Sequence, residues 1–119
     1  MKKQRVIKFR AWDSTNKRFE YFDFSGGVNE HHNDAEDVLD WVRRWNWPVM
    51  QFTGLTDRNG REVFEGDIVE HLIEFKEEME RFIGVVSWTS AHGVLVGDFP
   101  LGVDFSVIGN IHENGDLLL

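Results

Sequence analysis

Apolar and polar residues alternate in short runs along most of this chain, with turn residues between them. In Val6–Trp12, Ile7, Phe9 and Ala11 share one face and Lys8, Arg10 and Trp12 the other, the period of a β-strand. A polar turn over 13–17 leads into Arg18–Phe24, a returning strand with Phe19 and Tyr21 on one face and Phe22 and Phe24 on the other. Ser25-Gly26-Gly27 ends that strand, and a polar link follows over 28–34. The period then lengthens. Val38, Leu39, Val42 and Trp45 fall at helical spacing behind Asp34, a good N-cap, with Glu36 and Asp37 in the first turn and Arg43 and Arg44 in the last. This predicts a helix from Ala35 to about Trp45, stopped before Pro48, with Trp41 at the edge of its inner stripe.

The second half returns to the short period. Val49–Phe52, Ile68–Phe75, Arg81–Trp88, Val94–Val96 and Ser106–Ile111 read as strands, with 77–80 as an acidic connection. Gly84 predicts a bulge. Two turns organise the middle: Asp57-Arg58-Asn59-Gly60, where Asn-Gly supplies positive φ, and Glu65-Gly66-Asp67. Gly54, Asp57, Asn59, Gly60, Gly66, Asp67, Gly109 and Asn110 are read as turn-forming, structural positions. Close-spaced strands, tight turns and one helix predict a mainly β fold: an SH3-like barrel with an N-terminal β-hairpin and one α-helix, an OB-fold being the alternative. The expected organisation is a single domain over 1–119, with the hairpin and helix of 1–49 packed on a barrel of 50–119.

Composition narrows the chemistry. Ten Phe and five Trp in 119 residues imply a core built on rings, or an aromatic surface that a partner covers. The lack of cysteine excludes disulfides, thiolate zinc sites and cysteine nucleophiles. The net charge of −8 opposes contact with phosphate backbones. Charge is uneven: residues 1–18 carry Lys2, Lys3, Arg5, Lys8, Arg10, Lys17 and Arg18 against Asp13 alone, and no Lys or Arg follows Arg81. The basic N-terminus lacks the apolar core of a signal peptide, and no run approaches a membrane span, so a cytoplasmic protein without membrane contact is expected.

Three blocks resemble the YopX family of phage and prophage proteins. They are Ile7–Asp13; Met50–Leu55 with Asp57, Asn59-Gly60 and Glu65–Val69; and Val107–Ile111 with Glu113-Asn114 and Leu117-Leu118. They occur in the family's order. Gly115-Asp116 stands where the family usually has Pro-Glu, and 28–47 matches no family motif. The resemblance implies an SH3-type barrel with intertwined N-terminal elements and a phage or prophage source. It carries no catalytic residues over.

Several constellations admit a chemical reading beside a structural one. Asp57–Arg61 is superficially like a calcium loop, but Arg61 and Ile68 stand where ligands belong, so a hairpin turn is preferred. His31 and His32 with Asp34 and Glu36 lack a distant third ligand, and His71, His92 and His112 are scattered. Glu62, Glu65, Asp67 and Glu70 cluster in sequence as conceivable acid and base, against a structural role for Asp67 at a strand entry. Lys8, Arg10 and Trp12 are the best nucleic-acid contact, weighed against a basic face paired with acidic neighbours. Trp41, Trp45 and Trp47 supply either core packing, the preferred reading, or a partner-binding surface. The expectation is a non-enzymatic module that acts through protein contacts, as a homo-oligomer or on a phage or host protein, with no metal or cofactor. Nucleic-acid binding through Lys8, Arg10 and Trp12 is the alternative.

Overall fold

The computed structural model describes residues 7–24, 34–89, 93–97, 99–100 and 104–119. Among the described residues the chain is mainly β with one α-helix, and it divides into two compact units, residues 1–54 and 55–119. The polar link at 28–33 and the turn at 91–92 lie outside the described residues, as does the basic end before Ile7.

The first unit holds β1 (Phe9–Asp13), β2 (Arg18–Phe22), α1 (Ala35–Trp45) and most of β3 (Val49–Thr56). β1 pairs antiparallel with β2, placing Phe9 opposite Phe22 and Trp12 opposite Phe19. On its other side β1 pairs antiparallel with β3, Arg10 opposite Met50. The helix starts where its cap dictates: Asp34 accepts the Glu36 N–H at 2.8 Å. It ends at Asn46, left-handed at φ 55°, whose N–H donates to the Val42 carbonyl. Val38 packs with Ala11 and Phe22 in a buried cluster, flanked by Phe9, Leu39, Trp41, Val42 and Trp47. Trp45, expected on the inner stripe, is instead 62% exposed. It sits in the last turn, while Trp41, one turn earlier, packs against the cluster.

The second unit holds β4 (Glu62–Phe64), β5 (Asp67–Phe75), β6 (Glu78–Thr89), β7 (Gly93–Val96), β8 (Phe99–Pro100), β9 (Phe105–Asn110) and a terminal 3-10 turn, Gly115–Leu118. Five of these strands form one curled antiparallel sheet in the order β8-β7-β6-β5-β9, of the small β-barrel kind. β6 belongs to two pairings: Glu78–Val85 lie against β5, and Val86–Thr89 against β7.

The expected acidic connection over 77–80 is mostly strand. Phase is turned on Lys76 and Glu77, both at positive φ, and Glu78 already pairs with Phe75. Neither residue favours that conformation, so the turn left no signature in the sequence. Gly84 is not a bulge, since Val69 pairs with it in register. It is a close approach: a Cβ there would lie 2.7 Å from the Val96 side chain. The register shift falls between Ile68 and Val69, opposite β9. Among the described residues the core of this unit is mostly aliphatic: Val63, Val69, Val86, Val96 and Val107 cluster with Phe105, and Ile68 and Phe64 are buried as well. In the first unit, by contrast, Phe9 stacks on Phe22 and meets Phe24 edge-on, and Phe19 meets Trp12 edge-on and Tyr21 at a tilt.

Candidate functional site

The turn residues singled out in the middle of the chain tie the second unit together. The Asp57 carboxylate accepts the N–H groups of Asn59 and Arg61 through Oδ1, each at 2.9 Å. Its Oδ2 accepts the Val107 N–H at 2.9 Å. The turn closes through the Asp57 N–H to Arg61 carbonyl and Gly60 N–H to Asp57 carbonyl bonds, with Gly60 at φ +81°. Burial raises the Asp57 pKa, but the N–H groups of Val107, Arg61 and Asn59 and the Arg61 charge outweigh it and hold the carboxyl below its ordinary 3.8. A carboxylate engaged by three amides anchors the backbone, and that engagement explains the calcium-like spelling without a cation.

Asp67 and Asn110 extend the network. Asp67 is buried and accepts the Phe64 N–H at 2.8 Å, which fixes the Glu65-Gly66 turn. Gly66, at φ +86°, donates to the Val86 carbonyl and accepts from the Ile111 N–H, joining β6 to the end of β9. Asp67 pairs with Asn110. Asn110 Oδ1 accepts the N–H groups of His112 and Glu113, and its Nδ2 donates to Glu113 Oε1. Asn114 Oδ1 in turn accepts the Asn110 N–H at 3.1 Å. Gly109 has no side chain because Asn114 fills that place: a Cβ would lie 2.5 Å from Asn114 Oδ1. Gly54, at φ +87°, stands at the end of the first unit.

The strand proposed for nucleic acid is not laid open. Arg10 and Trp12 are each only 5% exposed. The Arg10 guanidinium lies 4.0 Å from the centre of the Phe19 ring, and Trp12 meets the same ring edge-on at 4.8 Å. Lys8 Nζ stands 4.8 Å over Phe52. These cations therefore face rings of their own unit, an internal use of cation–π attraction.

The acidic cluster of 62–70 is dispersed in role. Glu62 is exposed, Asp67 is buried on a backbone amide, and Glu70 pairs with Arg81 at 2.9 Å. His31, His32 and His92 lie outside the described residues, while His71 is buried and His112 half-buried. Among the described residues no three His, Asp or Glu side chains are grouped to hold a metal ion. No helix among them is long and apolar enough to cross a membrane.

A cleft of about 410 Å³ opens in the first unit between strand and helix. Trp41, Trp45 and Trp47 line one side, and Asp13, Arg18 and Glu20 the other. Strand periodicity puts Arg18 and Glu20 on the Phe22 face of β2, above the cluster that seats Trp41. Arg18 Nε donates to Glu20 Oε1 at 2.9 Å; the Arg18 side chain is 65% exposed and that of Glu20 15%. Trp41 and Trp47 lie with ring centres 6.0 Å apart, tilted by 60°. Asp13 holds the turn beneath, accepting the N–H groups of Thr15 and Asn16 and the Asn16 amide. Burial raises its pKa, and those bonds with the Arg18 charge outweigh it, so the carboxyl lies below 3.8. The three tryptophans were visible in the sequence. Their union with Arg18 and Glu20 was signalled only by the shared face of β2, which needs the helix docked on it to have meaning.

The second unit is thus an antiparallel sheet tied together by amide-bound aspartates and by the Asn110–Asn114 contact. The YopX protein family matches residues 8–119, and the chain belongs to that family. The crystal structure of protein EF1440 from Enterococcus faecalis superimposes with a TM-score of 0.61 at 25% identity, covering 98% of this chain and all of that one. Comparison with curated proteins gives no match.

Proposed function

We propose that this YopX protein is a non-enzymatic module of phage or prophage origin that acts through protein contacts in the cytoplasm of a bacterial host. The observation that carries the reading is the apolar surface of β6. Met79 is 62% exposed, Ile83 39% and Phe82 36%, on a strand exposed along both faces from Glu78 to Ile83. Met79 and Ile83 share one face, separated only by Arg81, and Phe82 lies on the other. An exposed hairpin of this kind suits association with another chain, a second copy being the simplest. The engagement of Asp57 by three backbone amides and of Asp67 by that of Phe64 supports a structural rather than catalytic role for the motif residues. Burial of Arg10 and Trp12 speaks against the nucleic-acid alternative.

Light scattering across a concentration series tests the reading, comparing the wild type with a Met79→Glu, Ile83→Glu variant. The expected result is concentration-dependent association that the variant loses while its circular dichroism is unchanged. A wild type that stays monomeric to high concentration removes self-association. A gel shift at low salt, where counterion release favours binding most, is expected to show no retained nucleic acid.

A further inference from the structure

We propose that the tryptophan cleft of the first unit receives an arginine side chain from a partner protein, and that Arg18 holds the place of that guanidinium in the free protein. Three observations converge. First, Trp41, Trp45 and Trp47 present indole surface to one cleft, and indole is the ring that attracts cations most strongly. Trp45 is 62% exposed although it belongs to a helix whose neighbouring tryptophan is packed. Second, the opposite wall carries two carboxylates, Asp13 and Glu20, beside the one cation Arg18, and Glu20 is largely enclosed, with 15% of its side chain exposed. The charge suits a basic guest, as does the protein's net −8. Third, a guanidinium is already there. Arg18 meets Glu20 through Nε, and its side chain is 65% exposed, so this ion pair is of the weak, solvent-screened kind.

An incoming arginine exchanges one guanidinium for another on Glu20. It also gains what Arg18 lacks: enclosure by indole faces and the two parallel N–H bonds that a planar fork makes with a carboxylate. Arg18 is thus an internal competitor for the Glu20 carboxylate. The site belongs to the first unit and does not depend on the β6 surface, so either proposal stands if the other fails.

The test is a titration of the full chain, followed by the indole N–H signals of a ¹⁵N-labelled sample, with N-acetyl-arginine amide as probe. N-acetyl-citrulline amide, of nearly the same shape without the charge, is the control, and N-acetyl-lysine amide is the third arm. The arginine probe is expected to move the signals of Trp41, Trp45 and Trp47 and leave that of Trp12 in place. Citrulline is expected to move none. Arg18→Gln should strengthen the response several-fold, and Glu20→Gln should weaken it about tenfold. Trp45→Phe keeps a ring in the exposed last turn and should weaken binding less than Trp45→Ala. Equal response to arginine and citrulline, or no response up to the solubility of the probe, overturns the proposal. A stronger response to lysine overturns the guanidinium assignment. A peptide of residues 1–6 that bound better than arginine-bearing peptides of unrelated sequence would give the cleft to a second copy instead.

Discussion

The Asp57 carboxylate accepts the N–H of Val107 at 2.9 Å, fifty residues further along the chain. One side chain thereby closes its own turn and clamps that turn to β9. The backbone of β9 returns the contact through the Phe105 carbonyl, which accepts the Arg58 N–H at 3.1 Å. The second unit is held shut at this point by polar bonds, while its buried cluster is mostly valine.

Replacing Asp57 by Ala removes the acceptor for three N–H groups, at least one of them buried in β9. Buried donors left unsatisfied lose more than the bonds themselves contribute. The expected loss of unfolding free energy is on the order of 3 kcal/mol. Urea denaturation followed by tryptophan fluorescence measures it, and a loss within error of zero would show the clamp to be dispensable.

Asp57 and Asp13 both have carboxyl pKa values lowered by folding. The folded protein therefore binds protons less readily than the unfolded chain. Their stabilisation is fully present above the ordinary value of 3.8 and is lost as pH falls from there through the lowered folded values. Thermal melts between pH 6 and about pH 2.5 should fall most steeply below 3.8, and Asp57→Asn should flatten that part of the profile. An Asp57→Asn profile parallel to that of the wild type would contradict the assignment.

The β5–β6 hairpin turns on Lys76 at φ 52° and Glu77 at φ 67°. Left-handed backbone costs ordinary residues about 1–2 kcal/mol each, and Asn and Gly much less. The double substitution Lys76→Asn, Glu77→Gly should stabilise the protein by about 1 kcal/mol, after allowance for the entropy that Gly adds to the unfolded chain. A lower melting temperature for this variant would mean that the turn is not formed as described.

Gly109 and Asn114 occupy one space. Gly109→Ala should push the Asn114 side chain off the Asn110 N–H and destabilise by about 1–3 kcal/mol. Asn114→Ala removes the obstruction together with the bond. Adding Gly109→Ala to it should then cost little, and the double-mutant cycle should show clear coupling. Additive effects would separate the two residues.

Local chemistry accounts for what could be read in advance. The helix from Ala35 to Trp45 is written in its cap, its first-turn acids and its apolar spacing, all of which act within a few residues. The turns at Asp57–Gly60 and Glu65–Asp67 are equally local, because Gly and Asx side chains choose backbone conformations almost alone. The strand faces followed from period two, and with them the mainly β class; the family resemblance rested on three short blocks of residues.

The misreadings share one cause. Which face of β1 meets solvent is decided by what packs on it, so Arg10 and Trp12 became interior residues. Whether Trp41 or Trp45 is buried depends on how the helix rolls on the sheet, and two adjacent positions of one amphipathic stripe cannot settle that. The Lys76-Glu77 turn is imposed by the pairing of β5 with β6, against the preference of both residues. Sequence alone thus determined periods, caps and glycine-dependent bends, which are short-range. Only tertiary structure decided that valines outnumber rings in the described core of the second unit, that Asp57 reaches Val107, and that Arg18, Glu20 and the tryptophans share a cleft. Each of these depends on surfaces meeting across long stretches of chain, and no local preference encodes that.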